Sequence, residues 1–165
     1  MSPVHPFLIA QLLVLLILAN GAPVIAKKIF ETILARPLDG GITLVDGQPI
    51  FGRSKTIRGV ALSIVVTTLA APWVGLDWTI GFFISATAMI GDLLSSFTKR
   101  RMKLASGSMA LGLDQTPESL LPAIACRWVL PITVLDIALV VVLFFIGEVV
   151  ASRALYTFKI RDRPY

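Results

Sequence analysis

Cysteine and histidine are almost absent: one of each, Cys126 and His5, occurs in 165 residues. A lone thiol forms no intrachain disulfide, and one thiol with one imidazole cannot assemble a structural zinc site. Any bound metal must therefore be held by oxygen. Charge is scarce too, at 15% of residues against 56% apolar, and the mean hydropathy is +0.84. That balance lies far from a water-soluble domain and makes a bilayer the expected solvent. No internal repeat, heptad run or low-complexity tract is present, which removes solenoid and coiled-coil readings.

What is abundant is long apolar sequence. A spanning helix needs ~20 mostly apolar residues, and 7–26 supply them without a charge. No Lys or Arg precedes this stretch and basic residues follow it, the reverse of a secretory signal, so a mature helix is expected. Further spans are expected at 59–74 and 78–97, joined by a tight Gly75-Leu76-Asp77 turn with Trp73 and Trp78 as interfacial anchors. The apolar region after Thr116 is too long for one crossing. Pro131, which removes a backbone donor, divides it into helices at 117–130 and 132–155.

Charge position tests this count, because cytoplasmic loops collect Lys and Arg. With the N-terminus outside, one face receives Lys27, Lys28, Arg36, Arg53, Lys55 and Arg58, then Lys99, Arg100, Arg101 and Lys103, then Arg153, Lys159, Arg161 and Arg163. Only Arg127 falls on the other. The expected fold is a single all-α, polytopic membrane domain over 1–165 with about five transmembrane helices. The C-terminus is cytoplasmic, and two functional cytoplasmic loops span about 27–58 and 98–116.

The first loop mixes glycines with cations, in Arg36-Pro37-Leu38-Asp39-Gly40-Gly41 and Gly52-Arg53-Ser54-Lys55-Thr56-Ile57-Arg58-Gly59, a composition that suits phosphate. It is no Walker A loop, since Pro49 and Ser54 stand where that motif requires glycine. The second helix begins near Thr56, so its free N–H groups and positive dipole end are expected to face this loop and receive an anion. The alternative is that Lys55 and Arg58 only set topology and touch lipid headgroups.

In the third helix Asp92, Ser95, Ser96 and Lys99 recur at i, i+3, i+4 and i+7, a polar stripe on one face. Asp92 lies ~10 Å along the axis from Lys99, where an acid needs a polar cavity or partner. Packing serines and a basic neighbour for Asp92 are the structural alternative. The second loop closes with Gly112-Leu113-Asp114-Gln115-Thr116-Pro117-Glu118. Asp114 or Thr116 can serve as an N-cap with Glu118 in the first turn. Asp114 can equally join Asp92 at a magnesium ion, which takes one or two carboxylates plus substrate phosphates. Arg127 and Asp136, on the outer side, are expected to serve structure by a salt bridge or snorkelling. Glu148 is left open.

Taken in order, Asn20-Gly21-Ala22-Pro23, the Arg36–Gly41 and Lys55–Gly59 segments, Gly91-Asp92-Leu93-Leu94-Ser95-Ser96-Phe97-Thr98-Lys99-Arg100-Arg101 and Leu113-Asp114-Gln115 resemble archaeal CDP-archaeol synthases, themselves similar to bacterial phosphatidate cytidylyltransferases. The Gly91–Arg101 segment with Asp114-Gln115 is the most specific part. Members of that family join CTP to an unsaturated archaetidic acid, 2,3-bis-O-geranylgeranylglycerol 1-phosphate, giving CDP-archaeol and pyrophosphate with Mg²⁺.

The resemblance implies Asp92 and Asp114 as metal-site residues, with Lys99 completing the catalytic set. Asn20, Asp39, Lys55, Thr56, Arg58, Ser96 and Arg100 are the implied substrate contacts. The implied partners are CTP, an isoprenoid ether-lipid phosphate and membrane lipids, with no nucleic acid, at a cytoplasm-facing site in the cell membrane. The chain departs from the bacterial pattern at Ala105-Ser106, where a Lys-Asp pair is usual, and has no His-Gly-Gly. Where related sequences place an acid three residues after Asp114, it has Pro117, with Glu118 one position late.

Two other classes fit parts of the sequence. A small transporter of anions or phosphorylated lipids accounts for Asp92 and the basic loops, but transporters concentrate broken helices near mid-membrane and often carry repeats. An anionic-lipid-binding assembly subunit accounts for the basic face but not the polar stripe.

Overall fold

The computed structural model describes residues 4–157. Five helices carry the described residues: α1 (Pro6–Phe30), α2 (Ile57–Ala70), α3 (Trp78–Arg101), α4 (Gln115–Cys126) and α5 (Val134–Thr157), with a 3-10 turn at Ala71–Val74 after α2. The basic C-terminal residues Lys159, Arg161 and Arg163 lie outside the described residues.

Among the described residues, four segments are long and apolar enough to cross a membrane: Pro6–Phe30, Ile57–Val74, Trp78–Arg101 and Val134–Ala154. The fourth expected span is corrected. Its helix has 12 residues, ~18 Å of rise against a hydrocarbon core of ~30 Å. It begins earlier than expected, at Gln115, and stops at Cys126. From there the chain turns through Leu130 N–H to Cys126 O at 2.7 Å and Ile132 N–H to Leu130 O at 2.8 Å, around Pro131, which has no N–H to give. Together α4 and 127–133 still carry the chain from one end of the bundle to the other.

The helix ends follow local chemistry. Thr56 caps α2, its hydroxyl accepting Gly59 N–H at 3.1 Å, and Asp77 caps α3 by accepting Thr79 N–H at 2.8 Å. The expected 59–74 helix tightens to 3-10 at Ala71 beside Pro72, then reverses at Gly75, whose φ of 81° favours glycine. Trp73 and Trp78 are both exposed at this turn, and Trp128 is exposed after α4.

At the same end Gln11 on α1 donates to Val74 O at 2.6 Å. There the buried Asp136 carboxylate accepts His5 N–H at 2.9 Å, pairs with His5 Nδ1 at 2.8 Å, and accepts Thr133 N–H and Oγ1–H at 2.8 and 2.9 Å. Asp136 is thus structural, as expected, but its partner is His5 across 131 positions rather than Arg127, which is exposed.

Leu12, Leu15, Leu16 and Ala19 of α1 form the centre of the core with Ile84 and Ala88 of α3, Ala123 and Cys126 of α4, and Ile137, Val140 and Phe144 of α5. Small residues set the closest approaches, as expected of helices packed in lipid. A Cβ on Gly81 would meet Ala71 Cβ at 2.7 Å and Thr67 O at 2.9 Å. One on Gly91 would strike the Pro117 carbonyl and reach Glu118 N at 2.8 Å. The second contact presses α3 against the start of α4, where the polar residues converge.

Candidate active site

At the end opposite the tryptophans, the 31–56 loop is zipped at its base. Leu38 N–H bonds Lys55 O at 2.8 Å and Ile57 N–H bonds Arg36 O at 3.2 Å, with Pro37 and Thr56 bridged antiparallel. This ladder fixes the backbone of Lys55 at the mouth of α2. It also corrects the expectation of an open anion site at the helix start, because Ile57 N–H is taken by Arg36 and Gly59 N–H by Thr56 Oγ1.

From that position Lys55 Nζ reaches Asp92 on α3, at 2.5 and 2.6 Å from its two oxygens. The polar stripe of α3 is real: Ser95, Ser96, Lys99 and Arg100 are buried. Ser95 back-bonds to Asp92 O at 2.9 Å. Lys99 Nζ lies 2.6 Å from Asp114 Oδ1 and donates to Ser108 O at 2.8 Å. Asp114 precedes α4 without a capping hydrogen bond; its other oxygen accepts Ala110 N–H at 2.8 Å. The role of N-cap is given up for the lysine.

Glu118, buried in the first turn of α4, lies within electrostatic range of Asp92 and of Glu148. Its position one residue late in sequence is absorbed by the helix, and the side chain arrives beside Asp92. Burial alone would lower the Lys55 ammonium, but Asp92 first, then Glu118 and Asp114, hold it above its usual value. Lys55, Asp92, Glu118, Lys99 and Asp114 therefore form one electrostatic constellation drawn from the first loop, α3, the end of the second loop and α4.

Several expected contacts are otherwise occupied. Asp39 organises its own loop, accepting Gly41 N–H at 3.0 Å and Phe51 and Gly52 N–H at 2.9 Å each. Burial pushes its carboxyl up, and the three backbone donors outweigh that and hold it below the usual range. Arg58 donates to the carbonyls of Ile33 and Glu31 and stacks on Phe30, fastening the turn that leaves α1. Thr56 is spent as a cap, and Asn20 donates to Leu16 O at 3.0 Å. Arg100 donates to Ala105 O at 3.0 Å while its buried Nε has no partner. Ser96 is buried on the stripe.

Sequence reasoning overlooked the ties between the two loops. Arg101 clasps Asp46 at 2.7 Å through both carboxylate oxygens and also bonds Pro49 O at 2.6 Å. Ser106, standing where the bacterial pattern has an acid, accepts Ser54 N–H at 3.2 Å and fills the space above Gly52, where a Cβ would sit 2.7 Å from its Oγ. No local signal marks such pairs, which lie more than fifty positions apart.

The donor set fits a hard divalent cation better than a soft one. Asp92 and Glu118 bring two carboxyl groups within electrostatic range of each other, an arrangement that favours a cation. Among the described residues no three His, Cys, Asp or Glu side chains form a cage. Magnesium needs none, because it completes its octahedron with phosphate and water.

A bundle of apolar helices with buried lysines and carboxylates gathered at one end defines a polytopic, membrane-embedded protein with a polar centre suited to phosphates. More specifically, the family model described as CarS-like CDP-archaeol synthase matches residues 7–165, and the chain belongs to that family. Its relatives include the CDP-archaeol synthases of Sulfurisphaera tokodaii, 28% identical over 90% of each chain, and of Pyrobaculum aerophilum, 30% identical over 89% of this chain and 91% of the relative. That of Thermococcus onnurineus is 34% identical over 84% of this chain and 82% of the relative. A solved structure described as an intramembrane enzyme for archaeal membrane lipids biosynthesis superposes with a TM-score of 0.65 at 27% identity, covering 84% of this chain and 90% of that one.

Proposed function

We propose that the chain is a membrane-embedded cytidylyltransferase of archaeal lipid synthesis. It joins CTP to 2,3-bis-O-geranylgeranylglycerol 1-phosphate and releases CDP-archaeol and pyrophosphate. Family membership supplies the reaction. The observation that carries it to residues is the pairing of Lys55 with Asp92 on α3 and of Lys99 with Asp114 just before α4.

In the reaction an oxygen of the lipid phosphate attacks the α-phosphorus of CTP. The new P–O bond forms as the bond to the β-phosphate breaks, and pyrophosphate leaves. The phosphomonoester is already anionic, so no side chain must remove a proton, and positioning with charge neutralisation dominates the barrier. Lys55 and Lys99 exchange a carboxylate for a phosphate partner when substrate enters. Arg100, with its unpartnered Nε, is the adjoining cation. Asp92 and Asp114, with Glu118 near Asp92, are the carboxylates that would hold Mg²⁺, which when bound would supply further neutralisation of phosphate charge.

The Lys and Arg asymmetry supports a site on the cytoplasmic face, the N-terminus outside and five crossings, the fourth made by α4 with 127–133. The isoprenoid chains then lie along the helices, leaving the phosphate at the interface.

The test is pyrophosphate release by purified protein in detergent with the digeranylgeranyl lipid phosphate and Mg²⁺, comparing CTP with ATP, GTP and UTP. Release that needs lipid and CTP and stops with EDTA is the expected result. Folded protein releasing no pyrophosphate under any of these combinations rules the reading out and favours transport.

A further inference from the structure

Residues 42–50 form a small hairpin that the catalytic reading does not use. Leu44 N–H bonds Gln48 O at 2.9 Å, Ile50 N–H bonds Ile42 O at 3.2 Å, and Gly47 N–H closes the turn on Leu44 O at 2.9 Å. Three of its apolar side chains are exposed, Ile42, Leu44 and Val45, and Val45 at the tip is wholly so. Clustered apolar exposure of this kind marks an interaction surface.

What holds the hairpin also sets its level. Arg101 binds Asp46, next to Val45, and the carbonyls of Gln48 and Pro49. Its guanidinium folds back over the Phe97 ring, 5.1 Å from the centroid, one turn before the end of α3. Phe97 continues a stripe with Ile90 and Leu94 at helical spacing, all exposed, which is the lipid-facing flank of α3. A ~20-residue span starting at the interfacial Trp78 ends at about Phe97. The hairpin tip therefore lies beside the outward flank of α3 at the depth of the membrane interface. Arg53, exposed, follows the hairpin in sequence and is suited to anionic headgroups.

We propose that the 42–50 hairpin is an interfacial membrane arm: Ile42, Leu44 and Val45 insert among the lipid headgroups and upper acyl chains beside α3, and Arg101 is the tether that keeps them there. The occupant of this apolar surface is bilayer lipid, continuous with the lipid already covering Ile90, Leu94 and Phe97. The arm explains why a hairpin with an apolar tip is clasped on the outward side of α3 and not folded over the Lys55 and Asp92 cluster.

The test places a nitroxide at Val45→Cys and, as the aqueous reference, at Lys103→Cys, in vesicles of phosphatidylcholine and phosphatidylglycerol; Cys126 is buried. Collision with dissolved oxygen is compared with collision with a water-soluble nickel chelate. The arm predicts that the Val45 label favours oxygen and is shielded from nickel, while the Lys103 label is nickel-accessible. It also predicts that adding Arg101→Gln moves the Val45 label toward the Lys103 value. A Val45 label as nickel-accessible as that at Lys103 overturns insertion, and one shielded from both reagents points to a protein partner and overturns it equally. Insertion that survives Arg101→Gln overturns the tether. None of these readouts depends on turnover, so they stand apart from the fate of the proposed reaction.

Discussion

Lys55 Nζ sits 2.5 Å from one oxygen of Asp92 and 2.6 Å from the other, joining a loop to a helix across 37 positions of chain. The pair is largely withdrawn from water, and Glu118 presses a second carboxyl against it. Breaking such a pair from one side costs about 3–5 kcal/mol, because a buried charge is left uncompensated. Lys55→Met and Asp92→Asn should therefore each lower thermal stability in detergent, and the double variant should lose less than their sum. Additive losses would show that the two groups do not share their charge. Burial alone would lower the folded Lys55 ammonium, and the neighbouring carboxylates outweigh it, holding the group above its ordinary 10.5. Its contribution should be complete below about pH 10.5 and disappear as pH rises through the folded value.

Turnover should separate the two lysine and carboxylate pairs from the rest of the loops. Asp92→Asn and Asp114→Asn are each expected to reduce pyrophosphate release by roughly 100-fold or more, the scale of removing a preorganised charge, in protein that elutes as a folded species. Lys99→Ala should weaken CTP handling, read as a raised KM. Glu118→Gln should raise the Mg²⁺ concentration needed for half-maximal rate by about tenfold, as changes around a metal do. An unchanged magnesium curve would remove Glu118 from the metal site.

Asp39 should behave as a fold residue. Its carboxylate accepts three backbone N–H groups, so Asp39→Ala strands those donors at about 1–3 kcal/mol. The measured consequence should be a lower melting temperature with KM for CTP little changed in the folded fraction. The Asp39 pKa lies below its ordinary 3.8 in the fold. Its stabilisation should be full above about pH 4 and fade as pH falls through the folded value. A melting temperature unchanged by the alanine would contradict this assignment.

Gly91→Ala tests the closeness of α3 and α4. The added methyl meets the backbone of Pro117 and Glu118, which no rotamer change can relieve, so about 1–3 kcal/mol of stability should be lost. Moving Glu118 away from Asp92 should also reduce turnover more than the stability loss explains. Gly21→Ala, with nothing within 4 Å of the added carbon, is the control.

Much of this molecule was legible in its residues, and the misreadings have physical causes. Length and hydropathy located α1, α2 and α3, and Pro131 marked the break before α5, because bilayer thickness and a missing N–H act through local sequence. The 3.6-residue period likewise exposed the stripe from Asp92 to Lys99. The reading failed for α4, where apolar residues continue past Cys126 but helical geometry does not. It failed at the start of α2, where Arg36 O claims an N–H expected to be free. It did not foresee that Arg58 fastens the turn after α1.

By itself, the sequence determined that this chain lies in a membrane as a helical bundle with its polar residues crowded toward one end, since spans and polar periodicity depend only on neighbours along the chain. Tertiary structure decided which charges meet: Lys55 with Asp92, Lys99 with Asp114, Glu118 beside Asp92, His5 with Asp136 and Arg101 with Asp46. Those pairings join distant segments brought together when the helices pack and the loops fold over their ends. Coulomb attraction selects among partners only after packing has placed them within a few ångströms.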